Sequence, residues 1–386
     1  MKSVWKIGFG KWYRILLALA IVFTGVGLVR YQDVSMETAG KAAAMCLEVL
    51  LPSLFPFLVV SNLFIGMGYT EVLGRWAAPL MRRVFRVSGA CAGAYLMGII
   101  GGYPVGARAA IQTYEQGLCS KTECQRMLSF CNNSGPAFIL GVVGAGIFSS
   151  SRAGMLLYGV HILASLTVGI CFRFYRRDEA PGTEQVHPRA VPRPAVVFVD
   201  AVRGGLSGIG SISAFVIFFA VAVNLLFASG LLTRMSAGIA GLFAPLGVTE
   251  AAVRRLLTGI VEMTSGLSSL RAAGESMSAR LSMAAFLLGW AGISVHCQVL
   301  SFLGESGISL LPYLCGKALH GGISALYMAI LCRALLPDFS AAAAAAGQIG
   351  ELISVRPHPL PGTLFLCLAA IPGICLLFRN PHKKLK

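Results

Sequence analysis

Predominantly apolar stretches recur along this chain at residues 15–29, 50–68, 155–172, 209–232, 281–303 and 363–378, and they limit its fold more than any other feature. Each approaches the ~20 residues with which an α-helix crosses the ~30 Å hydrocarbon core of a bilayer. Lipid offers no hydrogen bonds, so a spanning backbone must satisfy its own polar groups as a helix or a closed barrel, and runs of this length read as helices. The composition agrees, with 56% hydrophobic residues and 12% charged ones, against about 25% charged in ordinary soluble domains. The expected fold is therefore all-α, a polytopic helical membrane protein with about eight to ten membrane segments.

Charge then orients the chain. The net charge of +16 need not signal nucleic acid, because lysine and arginine gather on the cytoplasmic side of any membrane protein. Here they cluster at Lys2, Lys6, Lys11 and Arg14, at Arg75, Arg82, Arg83 and Arg86, across residues 173–203, and at Arg379, Lys383, Lys384 and Lys386. These four places are expected in the cytoplasm, with both termini. No A-x-A-like cleavage site follows the first window, which reads as a retained helix. Most of the 11 cysteines lie within apolar stretches and read as packing residues. Cys119 and Cys124 have no histidine nearby, so no metal site is expected, and no cofactor.

The stretch 176–203 is polar and rich in proline, a cytoplasmic linker that divides the chain. The expected organisation is residues 1–41 as an N-terminal cytoplasmic segment and first membrane helix, 42–175 as a first half and 204–335 as a second. Residues 336–386 supply an external connection, a last helix and a basic tail. A diverged repeat crosses the linker: GIIGGYPVG at 98–106 is followed by FCNNSGP at 130–136, and GIVEMTSG at 259–266 is followed by FLLGWAG at 286–292. In each half a membrane-grade stretch is interrupted by glycine, proline and small polar residues. Such breaks survive in lipid where they are buried in protein or line a cavity, and paired breaks mark transporter binding sites. An inverted repeat with broken or re-entrant helices is expected.

The breaks supply the candidate site. Gly101, Gly102, Tyr103, Pro104 and Gly106 cannot sit comfortably in a helix interior. Arg108 would begin the resumed helix, as an anion contact or as an interface arginine. Asn132, Asn133, Ser134 and Gly135 form the most polar run inside an apolar stretch, able to bind a solute or to cap a broken helix. Thr264, Ser265 and Gly266 are their counterparts in the second half. Glu262, an intramembrane carboxylate, is the candidate coupling or gating residue, and His296 could share its proton or only be hydrogen-bonded. Glu48, His161 and His320 carry less weight. Hydrolase, metalloprotease and nucleotide-binding signatures are absent, so no enzyme is expected.

Four motifs together, LPSLFPFLVVSNLF at 51–64, GGYPVGA at 101–107, FCNNSGPAFILG at 130–141 and GIVEMTSG at 259–266, resemble the sporulation integral membrane protein YlbJ family, also called SpoVV. That family lies within the wider group of nucleoside-recognition or gate-domain membrane proteins. The likeness runs from about residue 42 to 332 outside the linker, whereas the alanine run 341–346 and the connection to Pro361 resemble nothing in it. The resemblance implies two gate-like halves and a place in the membrane around the forespore, where the family is implicated in moving dipicolinate from the mother cell toward the spore. It thus implies a transporter of a small anionic solute, whose carboxylates would meet Arg108, the broken-helix N-termini and Asn132, Asn133 and Ser134. The alternatives are a non-transporting sporulation scaffold and a transporter of a nucleoside or another solute. The implied partners are the lipid bilayer and the solute, with no nucleic acid, and a homo-oligomer is compatible with the sequence.

Overall fold

A computed structural model describes residues 11–176, 193–271, 274–303 and 306–346. The last apolar window, 363–378, and the basic C-terminal tail lie outside the described residues, as do linker residues 177–192. The all-helical expectation is borne out, with no strand among the described residues. Five helical stretches are long and apolar enough to cross a membrane: Gln32–Gly66, Ser151–Phe172, Pro194–Ala228, Met277–Leu303 and Leu310–Ala334. The 20-residue α1 (Lys11–Arg30) is about 30 Å long, enough for another crossing.

Several boundaries differ from those expected. Residues 32–41, placed in the N-terminal segment, instead begin a second helix: α2 (Gln32–Met45) continues through a π-turn, Cys46–Leu50, into α3 (Leu51–Gly66). Pro52 lacks the N–H that would bond Glu48, and the chain accommodates this by letting Leu51 N–H donate to the Cys46 carbonyl five residues back. After the linker, α9 (Pro194–Ala228) starts with a proline in its first turn, where the missing donor costs nothing. Residues 194–203, assigned to the linker, are thus helical. Likewise α15 (Leu310–Ala346) runs through the alanine stretch 341–346. No apolar window singled out α15, because Lys317 and His320 interrupt it.

Between these helices lie α4 (Tyr69–Leu80), α5 (Cys91–Gly101), α6 (Val105–Glu115), α7 (Lys121–Cys131), a π-helical segment Ala137–Ile147 and α8 (Ser151–Phe172). After α9 come α10 (Leu231–Leu242), α11 (Glu250–Val261), α12 (Met263–Ser268), α13 (Met277–Trp290) and α14 (Gly292–Leu303). The order is one pattern used twice. A long helix (α3, α9) is followed by a 12-residue helix behind a left-handed glycine (α4 behind Gly68, α10 behind Gly230). A hairpin (α5–α6, α11–α12), a broken helix (α7 with 137–147, α13–α14) and a whole helix (α8, α15) complete each unit. Arms of 11 residues in the first hairpin and of 12 and 6 in the second reach at most about 18 Å, well short of the ~30 Å core, so each hairpin leaves on the side it entered. Three full crossings then remain per half, and an odd number turns the second half upside down relative to the first.

Packing follows a lipid-facing logic. The outer helices expose Val22, Val29, Leu206 and Phe218, whereas α7 is buried from Thr122 to Cys131 and α13 from Leu281 to Trp290. A Cβ on Gly316 would lie 2.3 Å from the Ser129 carbonyl oxygen, and one on Gly289 would lie 2.6 Å from Gly321. These glycines bring α15 against both broken helices, as small residues do where apolar burial gives helices no reason to associate. The capping box of Ser120 and Glu123 starts α7, worth about 1 kcal/mol. Farther along α7, the buried Arg126 guanidinium donates to the carbonyl of Arg86 at 2.7 Å, to that of Tyr175 at 2.8 and 3.0 Å, and to that of Arg176 at 2.9 Å.

Candidate functional site

Both hairpin tips and both helix breaks converge on one cavity. It holds about 680 Å³ of atom-free space, part of it open to the surroundings. The first hairpin contributes Gly101, Gly102 and Tyr103, and the break after α7 contributes Ser134 and Gly135. From the second half come Glu262, Met263 and Thr264 at the hairpin tip, and Ser294, Val295 and Gln298 on α14. Apolar walls are supplied by α3 (Leu54, Phe57), by Phe138 and by α9 (Ile212, Val216).

Local sequence explains the convergence. A Cβ on Gly106 would come within 2.2 Å of the Cys131 carbonyl oxygen and 2.7 Å of Gly98 Cα, so Gly98 and Gly106 let the first hairpin close on itself and cross the end of α7. The second hairpin closes in the same way: a Cβ on Gly266 would lie 2.2 Å from Gly259 Cα. Gly102, at φ +74°, then carries the first tip to the break, where its own Cβ would meet Gly135 N at 2.8 Å. The second break turns through left-handed Ala291 and Gly292, against Met263.

Glu262 caps α12. One carboxylate oxygen accepts from Thr264 N–H at 2.9 Å and the other from Ser265 N–H at 2.5 Å, which orders the tip while the carboxylate remains on the cavity wall. His296 does not hydrogen-bond to it. On α14, Ser294 and Gln298 lie four residues apart on the cavity face, whereas His296 points away and its Nδ1 lies 2.9 Å from Tyr313 Oη. Arg108 is exposed on α6 with its guanidinium 5.7 Å from the Phe302 ring centroid, and it does not line the cavity. Pro104 leads into α6, and Asn132 and Asn133 are fully buried beside the cavity, with Asn133 Nδ2 donating to the Phe130 carbonyl.

Behind Tyr103 lies a buried polar cluster that the sequence reading missed. Lys317, on α15, is fully buried, and its Nζ lies 3.0 Å from Tyr103 Oη, 2.9 Å from the Asn132 carbonyl oxygen and 3.2 Å from His320 Nδ1. Tyr103 Oη donates to the Leu288 carbonyl at 2.6 Å, and His320 Nε2 to the His161 carbonyl at 2.9 Å. His161 Nε2 in turn accepts from Ser134 N–H at 3.0 Å, and Asn132 Nδ2 donates to Tyr313 Oη at 3.2 Å. The cluster also crosses the repeat: Asn132 O, just past the end of α7, is met by Lys317 of the second half, and Leu288 O near the end of α13 is met by Tyr103 of the first. A sequence signal existed for it. Y-G-V-H-x3-S in α8 (Tyr158, His161, Ser165) parallels K-A-L-H-x3-S in α15 (Lys317, His320, Ser324), and the centroids of the two histidine rings lie 4.4 Å apart at a tilt of 36°. Gln298, whose Oε1 has no hydrogen-bond partner among the described residues, is a further cavity residue not singled out from sequence.

Residues 47–173 match the family described as Gate: nucleoside recognition, a span that runs from the turn before α3 to the end of α8 and so covers the first unit of the repeat. A curated relative, the sporulation integral membrane protein YlbJ of Bacillus subtilis (strain 168), is 28% identical over 341 residues, covering 83% of this chain and 83% of that protein. The resemblance read from the four motifs is borne out. Among solved structures, a CNTnw variant in an intermediate state covers 85% of this chain and 88% of its own at 14% identity, with a TM-score of 0.49. CNTnw in an inward-facing substrate-bound state covers 83% and 88% at 15% identity, with a TM-score of 0.44.

Proposed function

We propose that this multi-pass membrane protein is a secondary transporter of a small anionic solute, and that the solute is dipicolinate carried from mother cell toward forespore during sporulation. The observation that carries the reading is the meeting of two hairpin tips and two helix breaks on one cavity between inverted halves. In that arrangement, rocking one half against the other exposes the site to each side in turn. The N-terminal turns of the 137–147 segment and of α14 line the cavity, and the positive end of a helix favours a carboxylate. Phe57 and Phe138 offer flat apolar contact to an aromatic ring. The relative named for sporulation supports the setting, an outer forespore membrane with both termini in the cytoplasm, and the four basic clusters support that orientation. In this reading the cavity residues from Gly101 to Tyr103, Ser134, Gly135, Thr264 and Gln298 hold the solute, and Glu262 gates the second tip.

One observation favours a second reading. A carboxylate on the cavity wall suits a neutral solute with hydroxyl groups, such as a nucleoside, better than it suits a dianion. Uptake into proteoliposomes separates the two. Labelled dipicolinate is expected to enter saturably with wild-type protein and to fall by roughly tenfold, about 1.4 kcal/mol of lost binding, with Gln298→Leu and Glu262→Gln. Uptake of a nucleoside without dipicolinate would establish the second reading. No uptake of either by folded protein would make the chain a scaffold.

A further inference from the structure

The polar cluster behind Tyr103 contains an intramembrane lysine to which the transport reading gives no role. Its charge state follows from counting hydrogens. Asn132 O is a carbonyl oxygen and can only accept. Tyr103 Oη donates its single hydrogen to Leu288 O, so it offers Lys317 a lone pair, and His320 carries its proton on Nε2 toward His161 O, so its Nδ1 does the same. With His320 as the neutral Nε2–H tautomer, three acceptors face one nitrogen, and the three N–H bonds of the ammonium form match them. The face of the Tyr103 ring, its centroid 4.9 Å from Nζ, adds a fourth contact suited to a cation. Among the described residues no carboxylate pairs with this charge. The compensating negative potential comes from the Asn132 carbonyl just past the C-terminal end of α7, the negative end of that helix's dipole.

Carbonyls freed at the C-terminal ends of broken helices are where secondary transporters commonly hold their coupling cation. We infer that Lys317 is a tethered cation occupying that position in this protein, so that solute binding and movement need no alkali metal ion. The inference rests on the transporter reading for its consequence, but the occupancy itself can be tested without any solute. The repeat strengthens it: the residue of α8 that corresponds to Lys317 is Tyr158, so the cation is present on one side of the pseudo-twofold arrangement only, where the chain has broken its own symmetry.

The test has two arms on the full-length chain. In the first, thermal unfolding of purified protein is followed in sodium, potassium and choline chloride at equal ionic strength. Wild type is expected to show the same midpoint in all three, while Lys317→Ala, with the ammonium removed and the carbonyl uncovered, is expected to unfold at lower temperature and to regain stability saturably with sodium but not with choline. A saturable sodium-specific stabilisation of wild type would overturn the inference, since the position would then be open to a metal ion, and this result decides the matter even where the variant fails to fold. The second arm is dipicolinate uptake. Wild type is expected to transport equally in sodium and choline, and Lys317→Gln, which keeps a hydrogen-bonding side chain without the charge, to lose roughly tenfold. Undiminished uptake by Lys317→Gln in choline would equally overturn it. Absence of uptake by wild type would count against the transporter reading alone, with the thermal arm still deciding the occupancy.

Discussion

The ends of α7 and α13 present the same electrostatic demand, a backbone carbonyl left over where a helix breaks inside the membrane, and the two halves meet it with different groups. Asn132 O is met by the ammonium of Lys317, whereas Leu288 O is met by the phenol of Tyr103. In both cases the group comes from the opposite half, so neither broken helix is complete within its own repeat. What differs is charge. A neutral donor suffices near the end of α13, while α7 receives a full positive charge shared with Tyr103 and His320. The hairpins, by contrast, are alike: each closes on a pair of glycines, Gly98 with Gly106 and Gly259 with Gly266. Geometry is repeated in this chain and electrostatics is not.

The likeness of the hairpins can be broken most forcefully by adding a methyl group. Gly106→Ala and Gly266→Ala each place a Cβ within 2.2 Å of backbone, and both are expected to lose about 3 kcal/mol or more of stability, read as a drop in unfolding temperature or failure to accumulate; tolerance of either would show that hairpin to be looser than its partner. The charge difference comes next. Lys317→Met leaves Asn132 O, Tyr103 and His320 each short of a partner and should cost about 2–3 kcal/mol, whereas Tyr158→Phe at the corresponding position should cost less than about 0.5 kcal/mol, both measured by chemical or thermal unfolding. Equal effects would erase the asymmetry. Tyr103→Phe removes the neutral donor to Leu288 O and one of the three acceptors around Lys317, and about 1 kcal/mol is expected from hydrogen bonds between membrane helices. Smallest of all, Arg108→Ala should leave stability and dipicolinate uptake within about 0.5 kcal/mol of wild type, because its side chain is exposed and lies off the cavity; a large loss of uptake would return Arg108 to the site.

The glycine-rich motifs were legible in the sequence because breaking a membrane helix demands unusual residues, and the aligned pairs Gly98/Gly259 and Gly106/Gly266 are those that close the hairpins. Gly135 and Gly292 were legible for the same reason. Lys317 was not. It sits in LCGKALHGG, between two apolar runs, and what gives it meaning is the approach of Tyr103 and Asn132 from more than 180 residues away in sequence. His296 and Gln298 illustrate the opposite problem. Both are polar residues in one apolar helix, and only the placement of α14 decides that Gln298 faces the cavity while His296 turns to Tyr313. The helix α2 was not legible as a separate element because Asp33, Glu37 and Lys41 interrupt the apolar pattern, while alanines and a Glu37–Lys41 pair one turn apart sustain it.

Arg126 has a mechanical consequence. Its guanidinium ties the chain just after the π-turn Met81–Phe85 that follows α4, at Arg86, to the residues just beyond α8, at Tyr175 and Arg176, so the approach to α5 and the exit from α8 are buckled together through α7. A ring of backbone closed in this way resists shear, because α5 through α8 cannot slide past one another without releasing several charge-assisted hydrogen bonds at once. The stretch from α5 to α8 should therefore hold together as a single block, and any motion of the proposed transport should be sought outside it.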